Sequence, residues 1–210
     1  MGAFGDLMAE LYYMPLILIT LAVLWSMKSY QLVLKEWQLL AEKLGVKCSI
    51  PPEPSKKWPE LSGRIHNLPF FCSMRTRKSG RSTLMCTYFC FDLRGIEGKT
   101  LQLYNEGLFS KIGIALGGQD VELGHEVFDN EFVIQSNDEE WAIMILKPSV
   151  QERILRKLDQ NSEIRIEENQ LIYEEFSAIK YSTDCEAFYH KILSGAMIAQ
   201  SIQKSMKVVE

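Results

Sequence analysis

Residues 70–93 read FFCSMRTRKSGRSTLMCTYFCFDL. Phe70–Arg77 and Ser82–Leu93 are rich in aromatic and β-favouring residues and flank Lys78-Ser79-Gly80-Arg81. Gly80 can supply the positive φ that a tight connection needs, so the stretch predicts a β-hairpin. Further strands are expected at Leu101–Tyr104, Lys111–Leu116, Glu131–Gln135, Glu163–Glu167 and Gln170–Phe176. Asn169 suits a tight turn between the last two. Helices are expected at Asp138–Ile145, Ser149–Leu158 and Asp184–Lys207. In the last, Phe188, Ile192, Ala196, Ala199, Ile202 and Met206 recur at helical spacing, as for a helix docked on a core. Strands and helices do not alternate regularly. The reading is therefore α+β, with a mainly antiparallel sheet and packed helices over 61–183 and a C-terminal amphipathic helix over 184–210.

Upstream lies a different kind of segment. Leu11–Met27, LYYMPLILITLAVLWSM, holds no charged residue. At about 1.5 Å per residue it spans roughly 25 Å, slightly short of a typical bilayer's hydrocarbon core. Tyr12, Tyr13 and Trp25 lie near its ends, where aromatic rings favour the headgroup region. Residues 1–10 carry Asp6 and Glu10 and no Lys or Arg, unlike the basic start of a signal peptide. The run predicts a single transmembrane helix over 11–27, after a short N-terminal segment. Lys28, Lys35, Lys43 and Lys47 follow it, so the positive-inside rule places the N-terminus outside and the main domain in the cytoplasm of a cell inner membrane.

A juxtamembrane helical stalk is expected over 28–48. Val33, Trp37, Leu40 and Leu44 are spaced 4, 3 and 4 residues apart and make one apolar stripe. The stripe packs either on the chain's own domain or on another subunit, and these four residues are the partner-binding candidates. Gly45 suits a helix C-cap. Ile50-Pro51-Pro52-Glu53-Pro54 breaks any helix, so 49–60 reads as a stiff linker.

Composition excludes several classes. With 47% hydrophobic and 24% charged residues the chain is ordered. Five cysteines in 210 residues do not make a disulfide scaffold. A net charge of -4, with no recognised binding motif, argues against nucleic acid. Charge is segregated, however. Lys56, Lys57, Arg64, Arg75, Arg77, Lys78 and Arg81 face only Glu60 in their region, whereas 113–146 is acidic and lacks Lys and Arg. Arg75, Arg77, Lys78 and Arg81 concentrate at the hairpin tip. They are either a solvated turn or a contact for anionic lipid headgroups or an acidic partner, each charge being worth about 1 kcal/mol near an anionic surface.

Catalytic patterns are missing. Cys86 and Cys90 would share one strand face about 13 Å apart, too far for one ion, and with Cys72 they read as buried structural residues. His66, His125 and His190 are scattered and read as surface or capping residues. Asp120 and Asp129 lack the glycine pattern of a calcium loop. Gly117-Gly118 is followed by no Gly-Lys-Ser/Thr, and no nucleophile elbow occurs. No cofactor, metal or catalytic residue is expected.

Phe128-Asp129-x-x-Phe132, then Ser136-Asn137-Asp138-Glu139, Ile145-Leu146-Lys147-Pro148, Ile164-x-Ile166 and Asn169-x-Leu171-Ile172-Tyr173 together resemble a family of uncharacterised bacterial membrane-anchored proteins. The resemblance covers about a quarter of the chain, residues 122–176, at packing positions. Members usually carry Thr-Pro where this chain has Lys147-Pro148, and many have two spans where this one offers one. It implies a cytoplasmic α+β domain behind a membrane anchor and carries over no site residue.

The expected function is that of a non-enzymatic, single-pass accessory or scaffolding subunit of a membrane complex. Its partners would be the bilayer and other membrane-protein subunits, in a respiratory, photosynthetic, transport or secretion assembly. The alternative is a membrane-tethered module that binds anionic lipid or a ligand at the cytoplasmic leaflet.

Overall fold

The computed structural model describes the chain outside residues 1–2, 52–57, 80–81, 106–118, 158–161, 180–181 and 207–210. In the first helix the described side chains are those of 18–20, 22 and 28 onward. That helix, α1, runs from Ala3 to Leu44. The predicted stalk is thus continuous with the segment before it and ends at Gly45, whose φ of 66° supplies the left-handed C-cap.

The strands are β1 (Lys47–Ser49), β2 (Glu60–Ile65), β3 (Leu68–Ser79), β4 (Ser82–Asp92), β5 (Leu101–Asn105), β6 (Gln119–Asp120), β7 (Phe132–Ser136), β8 (Ser162–Glu167) and β9 (Gln170–Glu175). The other helices are α2 (Glu126–Glu131), α3 (Glu139–Ile145), α4 (Pro148–Lys157) and α5 (Ser182–Met206). The described strands form one sheet in the order β1-β2-β3-β4-β9-β8-β5-β7-β6, antiparallel at every pairing. The predicted hairpin is β3–β4, paired from Phe70↔Phe91 to Ser79↔Ser82. Glu168 and Asn169 both take positive φ in the β8–β9 turn, as Asn169 led one to expect. The strand expected at Lys111–Leu116 lies outside the described residues, as do Gly80 and the prolines 52 and 54. β1, β2, β6 and α2 were not anticipated.

Alternation along the strands gives the sheet two unlike faces. One carries Phe70, Cys72, Phe89, Phe91, Leu101, Leu103, Ile164, Ile166, Leu171 and Tyr173, all buried. Helices close over it, and α5 crosses closest to β4. A Cβ on Gly195 would stand 2.5 Å from the Phe89 ring, so only glycine permits this approach. Phe89 in turn stacks on Tyr173, with centroids 4.8 Å apart, and meets Phe188 of α5 edge-on. The other face carries Arg75, Arg77, Cys86, Gln102, Glu163, Arg165 and Glu174, and most of these are also buried.

The Ser136-Asn137-Asp138 run ties the sheet to α3. Ser136 Oγ donates to Thr100 O at 2.8 Å. Asn137 bridges Thr100 N and Gly98 O at 2.8 and 2.7 Å. Asp138 caps α3 by accepting from Trp141 N at 2.9 Å, and pairs with Lys99. The residues that carry the family resemblance are joints of the framework.

Candidate functional site

The seam between α1 and the domain comes first. Trp37 is 0% and Leu40 1% exposed, with Leu34 and Ala41 buried beside them. Val33 and Leu44 pack against the same core, partly buried. The apolar stripe Val33/Trp37/Leu40/Leu44 is therefore not an outward face for another subunit. The chain's own sheet and α5 cover it, because a tryptophan and three aliphatic side chains at helical spacing gain more from a core already present than from water. Polar contacts line the rim. Cys185 Sγ lies 3.4 Å from Glu36 O, and Lys43 pairs with Glu186 in the open.

α1 beyond the seam bears exposed apolar residues. Leu18 and Ile19 are 59% and 62% exposed, and Leu32 is 60% exposed. Among the described residues no helix is long and apolar enough to cross a membrane. Most side chains of the run Leu11–Met27 lie outside the described ones: within it only those of Leu18, Ile19, Thr20 and Ala22 are described.

Arg75, Arg77, Lys78 and Arg81 were expected to be either a solvated turn or a contact for anionic lipid or an acidic partner. The structure pairs two of them, Arg75 and Arg77, internally. Glu163 and Glu174 sit directly opposite each other on β8 and β9. Like charges so placed repel. Three arginines resolve the conflict. Arg75 grips Glu174 with both Nε and Nη2, at 2.7 and 2.6 Å. Arg77 Nη1 donates to Glu163 at 2.8 Å and to Glu174 at 2.9 Å. Arg165 lies 3.0 Å from Glu163, 3.0 Å from Glu167 and 3.3 Å from Glu174. Arg75 also covers the Tyr88 ring at 4.8 Å. Lys78 is exposed, and Arg81 lies outside the described residues.

Environment separates the two carboxyls. Burial pushes Glu163 up from the ordinary carboxylate range, against the pull of Arg165 and Arg77. Burial pushes Glu174 the same way, but the Arg75 hydrogen bonds and the charges of Arg75, Arg77 and Arg165 outweigh it and hold Glu174 low. The cluster carries Arg75, Arg77 and Arg165 against Glu163, Glu167 and Glu174, so its charges cancel. It welds β3, β8 and β9 together, and offers no spare charge to a ligand.

The remaining candidates have structural duties. Burial raises Cys86 to about 12, Cys90 to about 11 and Cys185 to about 12, leaving thiols with little thiolate. His125 caps α2, its Nδ1 accepting from Phe128 N at 3.2 Å. Asp129 accepts from Leu123 N and His125 N, and Asp120 from Gln135. No group of three metal-ligating side chains occurs among the described residues. Sequence reasoning missed Glu163, Arg165 and Glu174. The period-two run Glu163-x-Arg165-x-Glu167 was the available signal for one polar strand face.

Fold and site together define an α+β domain: among the described residues, one antiparallel sheet of nine strands, helices on one face, and a long N-terminal helix locked to it. No family model matches the chain. No curated protein matches it either. Among solved structures it is similar to the crystal structure of the mycobacterial trehalose monomycolate transport factor A, TtfA. The identity is 10%, the TM-score 0.56, and the likeness covers 84% of this chain and 95% of that one. At that identity the likeness is one of fold.

Proposed function

We propose that this chain is a non-catalytic accessory subunit, held at a membrane by α1 and contributing its α+β domain to a transport-related assembly. The observation that carries the reading is the continuity of α1. One helix leads from the apolar run Leu11–Met27 to Trp37, which is fully buried in the domain. A 42-residue helix is about 63 Å long, enough to cross a bilayer and still reach the domain. Burial of Trp37 and Leu40 couples the two parts rigidly, which suits a scaffold. The exposed Leu18, Ile19 and Leu32 support a lipid environment for the first part of α1. The fold likeness to a transport factor supports the transport setting, and the resemblance over 122–176 supports the anchor. Lys28, Lys35, Lys43 and Lys47 orient the domain to the cytoplasm.

The test is purification of the full chain from its native membrane in mild detergent, with native electrophoresis and mass spectrometry of what accompanies it. A stoichiometric set of membrane transport components is the expected result. Release by alkaline carbonate would remove the anchor from this reading. A lone monomer from an otherwise intact membrane extract would remove the subunit role.

A further inference from the structure

A second basic cluster lies away from the hairpin network. An open cleft of about 830 Å³ is walled by the β2–β3 turn, the chain leaving β4 and the end of α5. Three cations reach its rim from three elements: Arg64 of β2, Arg94 after β4 and Lys204 of α5. All three are exposed, and none pairs with a carboxylate among the described residues. One carboxylate, Asp92, shares the rim, and it already accepts from Gln170 Nε2 at 2.8 Å.

The cleft walls are held in place. Gln203 closes a two-way bridge with the Arg94 backbone, accepting from its N at 2.8 Å and donating to its O at 2.9 Å. Gln200 donates to His66 O at 3.0 Å, and Arg64 to Asn67 O at 2.8 Å. His66 and Asn67 both have left-handed φ, 49° and 66°, so the turn is tight; the His66 carbonyl meets α5 and the Asn67 carbonyl meets Arg64 of β2. Gln200 and Gln203 pin two loops to the end of α5 without a charge, and Arg64 spends one N–H on a backbone carbonyl, so no carboxylate neutralises the three cations among the described residues.

We infer that this cleft binds a phosphate monoester on an organic, partly apolar body. Its net positive rim runs against a chain of net charge -4, so it is a local feature and not a reflection of composition. Three cations around one opening suit a dianion better than a single carboxylate, and guanidinium forks match phosphate oxygens in pairs. Pro69, Leu93 and Met206 add apolar residues to the lining, from which bare phosphate would gain nothing. The volume lies within the range of small-molecule sites. The ester could be a soluble metabolite or the headgroup of phosphatidic acid; the chemistry that recognises them is shared. The inference does not depend on the membrane reading.

The test titrates the full chain in detergent with glycerol 3-phosphate, with dihexanoyl phosphatidic acid and with dihexanoylglycerol, the same lipid lacking phosphate. Calorimetry should show saturable binding of at least one phosphate compound and none of dihexanoylglycerol. Binding of both phosphate compounds assigns a soluble ester as sufficient; binding of phosphatidic acid alone assigns the lipid. The double variant Arg94→Gln/Lys204→Gln should weaken that binding tenfold or more at unchanged melting temperature. Asp92→Asn, which removes the one opposing carboxylate, should strengthen it. Absence of binding by either phosphate compound at millimolar concentration overturns the inference. So does equal binding by the double variant.

Discussion

Two basic clusters on one chain meet opposite fates. At the hairpin, Arg75 and Arg77 reach across β4 to Glu174 on β9, and Arg77 reaches on to Glu163 on β8, carboxylates that are almost fully buried. At the cleft, neutral glutamines brace the Arg94 backbone and the β2–β3 turn, and Arg64, Arg94 and Lys204 line the opening. The hairpin has the denser run of positive charge in sequence, yet the sparser cluster is the one with charge available. What decides is whether the neighbouring strand or helix brings a carboxylate. A count of basic residues along a segment does not contain that information.

The comparison is broken most directly at Glu174. It is fully buried and touches three guanidinium groups. Glu174→Gln should leave them under-compensated and cost about 3 kcal/mol at neutral pH, measured by urea unfolding. A loss below about 0.5 kcal/mol is what an exposed ion pair would give, and it would make the hairpin cluster no different in kind from a solvated turn. Glu163→Gln should cost less, since burial already disfavours its charged form.

The same pair predicts opposite pH dependences. Glu174 is held below its ordinary value of 4.5. The unfolded chain then binds more protons at that site, so its contribution is complete above the ordinary value and is lost as pH falls through the folded one. Glu163 is raised above 4.5. There the folded chain binds more protons, and its contribution weakens as pH rises through the folded value. Unfolding measured from pH 3 to 7 should therefore show a shallower acid loss in Glu174→Gln and a steeper one in Glu163→Gln, relative to the parent. Parallel curves for the two variants would mean that the carboxyls are not distinguished by their surroundings.

Much of the framework was legible because it obeys a single period. β3 and β4 alternate strongly over long runs, and α5 repeats its stripe from Phe188 to Met206. β2 was not legible. Ser62-Gly63-Arg64 is exposed throughout, with buried residues only at Leu61 and Ile65, and it pairs because β3 is long enough to offer it an edge. β1 and β6, at three and two residues, are too short for any period to show. The stripe Val33/Trp37/Leu40/Leu44 was visible, but its partner was not, since an apolar face looks the same whether its cover is intramolecular or a second subunit. The ion network required the sheet order. Only the insertion of β9 and β8 between β4 and β5 brings Glu174 and Glu163 beside the hairpin. The cleft was hidden for a related reason: Arg64, Arg94 and Lys204 are far apart in sequence, and no local pattern joins them.

The smallest effects give the sharpest test of the contrast. Lys78 is exposed on β3 opposite Thr83 and has no carboxylate partner among the described residues. It is the hairpin charge that the network does not consume. Lys78→Ser should change stability by less than about 0.5 kcal/mol, as for a surface site without partners. Arg94→Gln/Lys204→Gln should be equally mild in stability, for the same reason. The two variants should part company in phosphatidic acid titrations, with affinity preserved in the first and reduced in the second. Among the described residues Lys78 is a screened point charge whose neighbouring arginines are already paired with carboxylates. Three cations around one opening act on the same group. Equal losses from both variants would mean that phosphate recognition follows overall basicity, and the distinction between spent and available charge would fail.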